Sequence, residues 1–245
     1  MQRWKIIIEY EGSQFNGWQS QKDGSGIQDN LEKAIKNYSK EDIKTFSAGR
    51  TDSGVHALGQ VVHFDLKKES VSNEVRDALN NYLRPNAISI IKAERADKNF
   101  HARFSAKLRS YEYRIINRRQ PLTIDRGRYW RVGKDIEVDL MDKAKDYLIG
   151  KHDFTTFRST HCQAKSPVRT LDDIQIKRKS DVISFKLTAR SFLHNQVRSI
   201  IGSLKLVGEK KWKPIEIKNI LDARDRKLCA PLAPAEGLYF LKVLY

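Results

Sequence analysis

Hydrophobic positions along the chain switch repeatedly between two spacings. Residues 4–10, with Trp4, Ile6, Ile8 and Tyr10 on one side, read as a strand. A polar, glycine-containing loop runs to Gly26. Ile27, Leu31, Ala34, Ile35 and Tyr38 then recur as one helical face, and Ser25 with Gln28 reads as a capping box at its start. Residues 43–48 and 60–66 read as strands. Val75, Leu79 and Leu83 mark a second helix, and residues 87–93 a further strand.

The later part repeats this order. Residues 108–117 read as a strand, and 140–149 as a helix behind Asp139 as a candidate cap. Residues 168–177 and 182–190 read as a hairpin, and Leu193, Val197, Ile200, Ile201 and Leu204 as one face of a longer helix. A short helix near 214–223 precedes a final strand at 238–245. The order β-α-β-β-α-β, met twice, is that of the ferredoxin-like split motif. The expected fold is therefore α/β (α+β): two ferredoxin-like halves joined into one extended, mostly antiparallel mixed sheet with a cleft between them. Residues 97–106 read as the link, placing the halves at 1–104 and 105–245. Neither half carries a Walker loop or G-x-G-x-x-G, which argues against a nucleotide cofactor.

Charge changes the picture. The 245 residues include 46 Lys and Arg against 30 Asp and Glu, a formal net charge of +16. Such an excess points to a polyanionic partner, most often nucleic acid. Two cysteines are too few for a disulfide framework, and the histidines lack metal-ligand spacing, so no metal is expected. The first ten residues hold only a three-residue apolar run, and no stretch approaches the length of a membrane helix. The chain reads as a cytoplasmic protein.

Within that basic chain, Gly49-Arg50-Thr51-Asp52-Ser53-Gly54-Val55-His56 sets a carboxylate in a loop flanked by glycines. Asp52 either caps the turn between two strands or performs chemistry on something anionic. Arg109, Tyr111 and Tyr113 share one face of their strand, offering core aromatics or a stacking platform beside a cation. Arginines are dense around that strand, from Arg103 to Arg131, and their planar fork suits phosphate. His194 and Arg198, four apart, fall on one side of a helix. Arg198 either reaches water or meets a carboxylate, for which Asp52 is the evident candidate. A nearby guanidinium keeps such an acid ionised.

With those residues in place, the chain resembles the bacterial tRNA pseudouridine synthase A family over nearly its whole length. Gly17-Trp18-Gln19, Gly49-Arg50-Thr51-Asp52, Val55-His56-Ala57, Phe100-His101-Ala102-Arg103, Tyr111-Glu112-Tyr113, Val197-Arg198 and Gly237-Leu238-Tyr239 carry the resemblance. Ser53 departs from the alanine common in that family. The resemblance implies isomerisation of uridine to pseudouridine at positions 38, 39 and 40 of the tRNA anticodon arm. It implies a homodimer with no cofactor and no catalytic metal. By motif, Asp52 is the catalytic aspartate, Tyr111 stacks on the target base, and Arg198 pairs with the aspartate. Leu238 closes the pocket, Arg50 contacts RNA, and His56 and Arg109 join the substrate-binding set. Two other readings remain open on the residues alone. A non-catalytic RNA-binding module leaves the Asp52 loop without a purpose, and a metal-dependent phosphoryl-transfer enzyme lacks a second acid in that loop.

Overall fold

The computed structural model describes residues 1–245. The chain begins β1 (Gln2–Tyr10), α1 (Ile27–Ser39), β2 (Phe46–Ser47), β3 (His56–Leu66), α2 (Ser72–Leu83) and β4 (Ile88–Arg95). It continues with β5 (Leu108–Asn117), β6 (Trp130–Val132), α3 (Val138–Lys145), β7 (Gly150–Asp153), β8 (Val168–Lys179) and β9 (Val182–Ala189). Last come α4 (Gln196–Gly208), α5 (Ile215–Ala223) and β10 (Leu238–Leu244). Ten strands, mostly antiparallel, and five α-helices place the chain in the mixed α/β class.

The residues cluster into two units, Met1–Lys107 with Tyr239–Tyr245, and Leu108–Leu238. In the first, the strand order is β4-β1-β3-β10, with β2 on β3. β1 lies antiparallel between β3 and β4, pairing Ile6 with both Val62 and Ala93. Trp4, Ile6 and Ile8 are fully buried, as their alternation requires. α1 buries Ile27, Leu31, Ala34, Ile35 and Tyr38, the five positions its spacing picked out. α2 buries Val75, Leu79 and Leu83 in the same way. The last strand returns to this unit: β10 pairs parallel with β3, Tyr239 opposite His56. A boundary drawn at 104/105 cannot show this, because the pairing joins residues far apart in sequence.

In the second unit, the strand order is β5-β9-β8-β7, with β6 parallel on β5. β5 and β9 run antiparallel with Tyr113 opposite Phe185, both fully buried. α4 buries Val197, Ile200, Ile201 and Leu204 along the predicted stripe.

Three local expectations are corrected. α1 is capped at Gly26, whose amide donates to the Asp29 carboxylate at 3.0 Å, so Asp29 takes the place assigned to Gln28. α3 ends at Lys145 and tightens into a 3-10 turn, and it is preceded by Glu137 where Asp139 was the expected cap. α4 begins at Gln196, because Leu193 donates its amide to the Gln196 side chain and Asn195 takes a left-handed φ of 64°. His194 therefore lies before the helix and shares no helical face with Arg198. No helix is long and apolar enough to cross a membrane.

Candidate active site

The predicted residues fall into two groups, one in each unit. The first unit holds Arg50, Asp52 and His56 on one short stretch. β2 ends at Ser47 and β3 starts at His56, so residues 48–55 form the connecting loop. Arg50 is exposed and Asp52 half-buried.

The backbone of this loop is held on several sides. The Trp18 amide donates to the Thr51 carbonyl at 2.9 Å, and the Gln60 side chain to the Gly49 carbonyl at 2.7 Å. The Val55 amide closes a turn on the Asp52 carbonyl at 3.1 Å. The Tyr10 and Thr51 hydroxyls meet at 2.8 Å, and both residues are buried. Burial pushes Tyr10 up to about 12, so its hydroxyl keeps its proton at neutral pH. The Ser53 hydroxyl donates to the Phe15 carbonyl at 3.2 Å, a tie that an alanine there could not make.

Two glycines of the segment after β1 press against the same loop. A Cβ on Gly12 would stand 2.0 Å from the Val55 carbonyl oxygen. One on Gly17 would stand 2.7 Å from the Thr51 oxygen and 3.1 Å from the Asp52 carbonyl carbon. Gly17 also has φ at +83°, where other residues are strained. The peptides on either side of Asp52 are thus fixed by backbone contact.

His56 is 2% exposed. Its Nδ1 accepts the Gly12 amide at 2.9 Å, and its ring stacks on Tyr239 with centroids 4.7 Å apart. The Glu11 carboxylate lies 3.4 Å from the same nitrogen. His56, the first residue of β3, thus joins the segment after β1 to β10.

The second unit holds Arg109, Tyr111, Arg198 and, at its end, Leu238. Arg109 is 8% exposed, and its Nη1 donates to the Arg190 carbonyl at 2.5 Å. Tyr111 is half-buried opposite Leu187 and meets Phe192 edge to face at 5.1 Å. Tyr113, on the same face, is a core residue: it is fully buried, and its hydroxyl donates to the Pro234 carbonyl at 2.8 Å. Burial pushes the Tyr113 hydroxyl far above its ordinary range. On α4, Arg198 Nε donates to the Ala233 carbonyl at 2.7 Å, while the Ala233 amide returns a bond to the Arg198 carbonyl at 3.2 Å. Arg198 and Tyr113 thus hold adjacent residues of the segment leading into Leu238, which is 5% exposed.

Gly12, Tyr10 and Gln60 were not picked out as site residues from sequence. Thr51, Gly17 and Trp18 stood inside recognisable motifs but carried no role. Their function is to hold the loop, and for all but Gln60 that depends on contacts between residues more than 30 positions apart.

A basic α/β chain that immobilises one acid-bearing loop so thoroughly has the construction of an enzyme acting on a polyanion. The family model described as tRNA pseudouridine synthase matches residues 6–105 and 144–245. A tRNA pseudouridine synthase A from Parvibaculum lavamentivorans is 51% identical over 245 residues, covering 100% of both chains. One from Maricaulis maris is 49% identical over 245 residues, covering 100% of this chain and 98% of that one. One from Ehrlichia canis is 51% identical over 244 residues, covering 99% of this chain and 100% of that one. The chain belongs to the tRNA pseudouridine synthase family, and it is an isomerase acting on tRNA. The matched segments include Arg50, Asp52, His56, Arg198 and Leu238, and leave out Arg109 and Tyr111.

Proposed function

We propose that the chain converts uridine to pseudouridine at positions 38, 39 and 40 of the tRNA anticodon arm, with Asp52 as the catalytic carboxylate. The observation that carries this reading is the immobilised Gly49–Asp52 loop in a chain that matches synthases of one name along its whole length.

The reaction breaks the C1′–N1 bond, turns the uracil and forms C1′–C5. C5 loses its proton and N1 gains one. Oxidation state is unchanged and no group donor enters, so the chemistry calls for no cofactor. The target nucleotide is first drawn out of its stack, at a cost of a few kcal/mol. Arg50 offsets that cost by holding RNA beside the extracted nucleotide. Tyr111 stacks on the base, worth about 1–3 kcal/mol, and Leu238 supplies an apolar wall. Arg198 keeps the Asp52 carboxylate ionised, as a nucleophile or base requires. His56 and Arg109 serve substrate binding through the backbone they hold, at Gly12 and Arg190. The working enzyme is a cytoplasmic homodimer, with one tRNA touching both subunits.

Asp52→Asn tests the assignment. The variant is expected to bind unmodified tRNA transcript within about twofold of the parent and to release no tritium from uridine labelled at C5. Normal release would falsify the role of Asp52. Mapping pseudouridine by position on the same transcript tests the anticodon-arm assignment, which fails if positions 38–40 stay unmodified.

A further inference from the structure

Residues 118–134 carry Arg118, Arg119, Arg126, Arg128, Arg131 and Lys134 against a single acid, Asp125. They lie in the stretch between the two segments matched by the family model. Their stem is built firmly. β6 lies parallel on β5, and Asn117 Nδ2 donates to the carbonyls of Val132 (3.0 Å) and Lys134 (2.6 Å). The Trp130 ring meets Tyr113 edge to face, and the Lys205 ammonium sits 5.5 Å from its centre.

Two of the arginines shape the loop itself. Arg131 Nη1 donates to the Arg119 carbonyl at 2.7 Å, and Arg118 Nη2 to the Pro121 carbonyl at 3.4 Å. Two turns fold the tip, from Thr123 to Arg126 and from Asp125 to Arg128. Arg119, Arg126, Arg128 and Lys134 are exposed, and Ile124 at the tip is 91% exposed. A cluster of one sign repels itself, and ordinary solvated surface mixes both signs. A braced loop that keeps such a cluster pointed at water is suited to a polyanion.

We propose that residues 118–134 form an arm that grips the sugar–phosphate backbone of the RNA, setting affinity and taking no part in the chemistry. The inference rests on tRNA being the substrate. Five of its six cations are arginines, whose fork matches phosphate oxygens. Backbone contacts of this kind release counterions, so each is visible in the salt dependence of binding.

The test uses the full chain and unmodified tRNA transcript. Binding is measured across roughly 50 to 200 mM KCl, a range over which phosphate contacts show clearly. The variant R119Q/R126Q/K134Q is expected to bind at least about tenfold more weakly at the low-salt end. Its slope of log affinity against log salt should be shallower by about 0.7–0.9 per residue. The version R119K/R126K is expected to restore the slope, since a point charge suffices for counterion release. The loss should fall on the RNA concentration for half-saturation, not on the single-turnover rate at saturation. An unchanged slope and affinity would overturn the arm, as would an acidic protein as its true partner. So would failure of the lysine version to rescue, or a lost single-turnover rate at unchanged affinity. If the triple variant does not fold, as judged by circular dichroism, Arg126→Gln alone at the tip must still lower the slope by about one contact. Parent enzyme that binds transcript but forms no pseudouridine sinks the proposed function and leaves the arm standing.

Discussion

The hydroxyl pair of Tyr10 and Thr51 shows how much a single buried atom carries in this protein. Removing the Tyr10 oxygen leaves the Thr51 hydroxyl buried without that partner, at a cost of about 1–3 kcal/mol. Tyr10→Phe is therefore expected to lower stability by that amount in urea unfolding. Thr51→Val in the same background should regain part of it, because both ends are then apolar. Product formation should fall in the single variant while tRNA affinity holds, since the loop is loosened but not charged differently. Gly17→Ala is expected to be worse than Tyr10→Phe. Its methyl group would meet backbone that cannot move aside, at a φ that alanine resists. Asp52, Arg50 and Thr51 were legible as a motif from sequence. The clamp was not, because nothing local to Gly12 or Gly17 shows that the peptides of residues 51–55 lie against them.

Elements followed their periodicity where they were long enough to show it. α1 and α2 bury the residues their spacing named, and β5, β8 and β9 lie where predicted. β6 and β7, at three and four residues, were missed, and β2 is only two residues of a predicted six. Alternation cannot be recognised over so few positions; their pairing partners define them. The start of α4 shifted because a side-chain bond from Gln196 fixes the preceding turn. β3 carries a second consequence through His63, which stacks on Phe46 and accepts the Ala102 amide at 3.1 Å. Burial, with His101 and Arg3 nearby, pushes His63 down to about 4 from 6.5. The unfolded chain takes up a proton below 6.5 that the folded chain refuses until about 4. Stability from this residue is thus complete above 6.5 and is lost as pH falls towards 4, by on the order of 3 kcal/mol in all. His63→Gln should flatten that decline in unfolding experiments run between those pH values, and an unchanged slope would assign it elsewhere.

At the scale of the molecule, charge and family agree on a nucleic-acid substrate. No group of three or more His, Cys, Asp or Glu side chains is disposed to hold a metal ion. Because the proposed isomerisation changes no oxidation state and takes in no group, pseudouridine formation is expected to proceed at full rate in EDTA, and loss restored by a divalent cation would contradict the metal-free chemistry proposed. The chain does divide into two units, but the second, β5-β6-α3-β7-β8-β9-α4-α5, does not repeat the β-α-β-β-α-β order expected of it, because the short β6 and β7 are added and the final strand leaves. The allegiance of the final strand was not readable, since a strand's own alternation says nothing about its neighbour. β10 belongs with the first unit, its Tyr239 stacked on His56, the residue that follows the Asp52 loop. A polypeptide clipped ahead of residue 239 lacks the strand whose ring stacks on His56, and such a truncated copy is expected to form no pseudouridine.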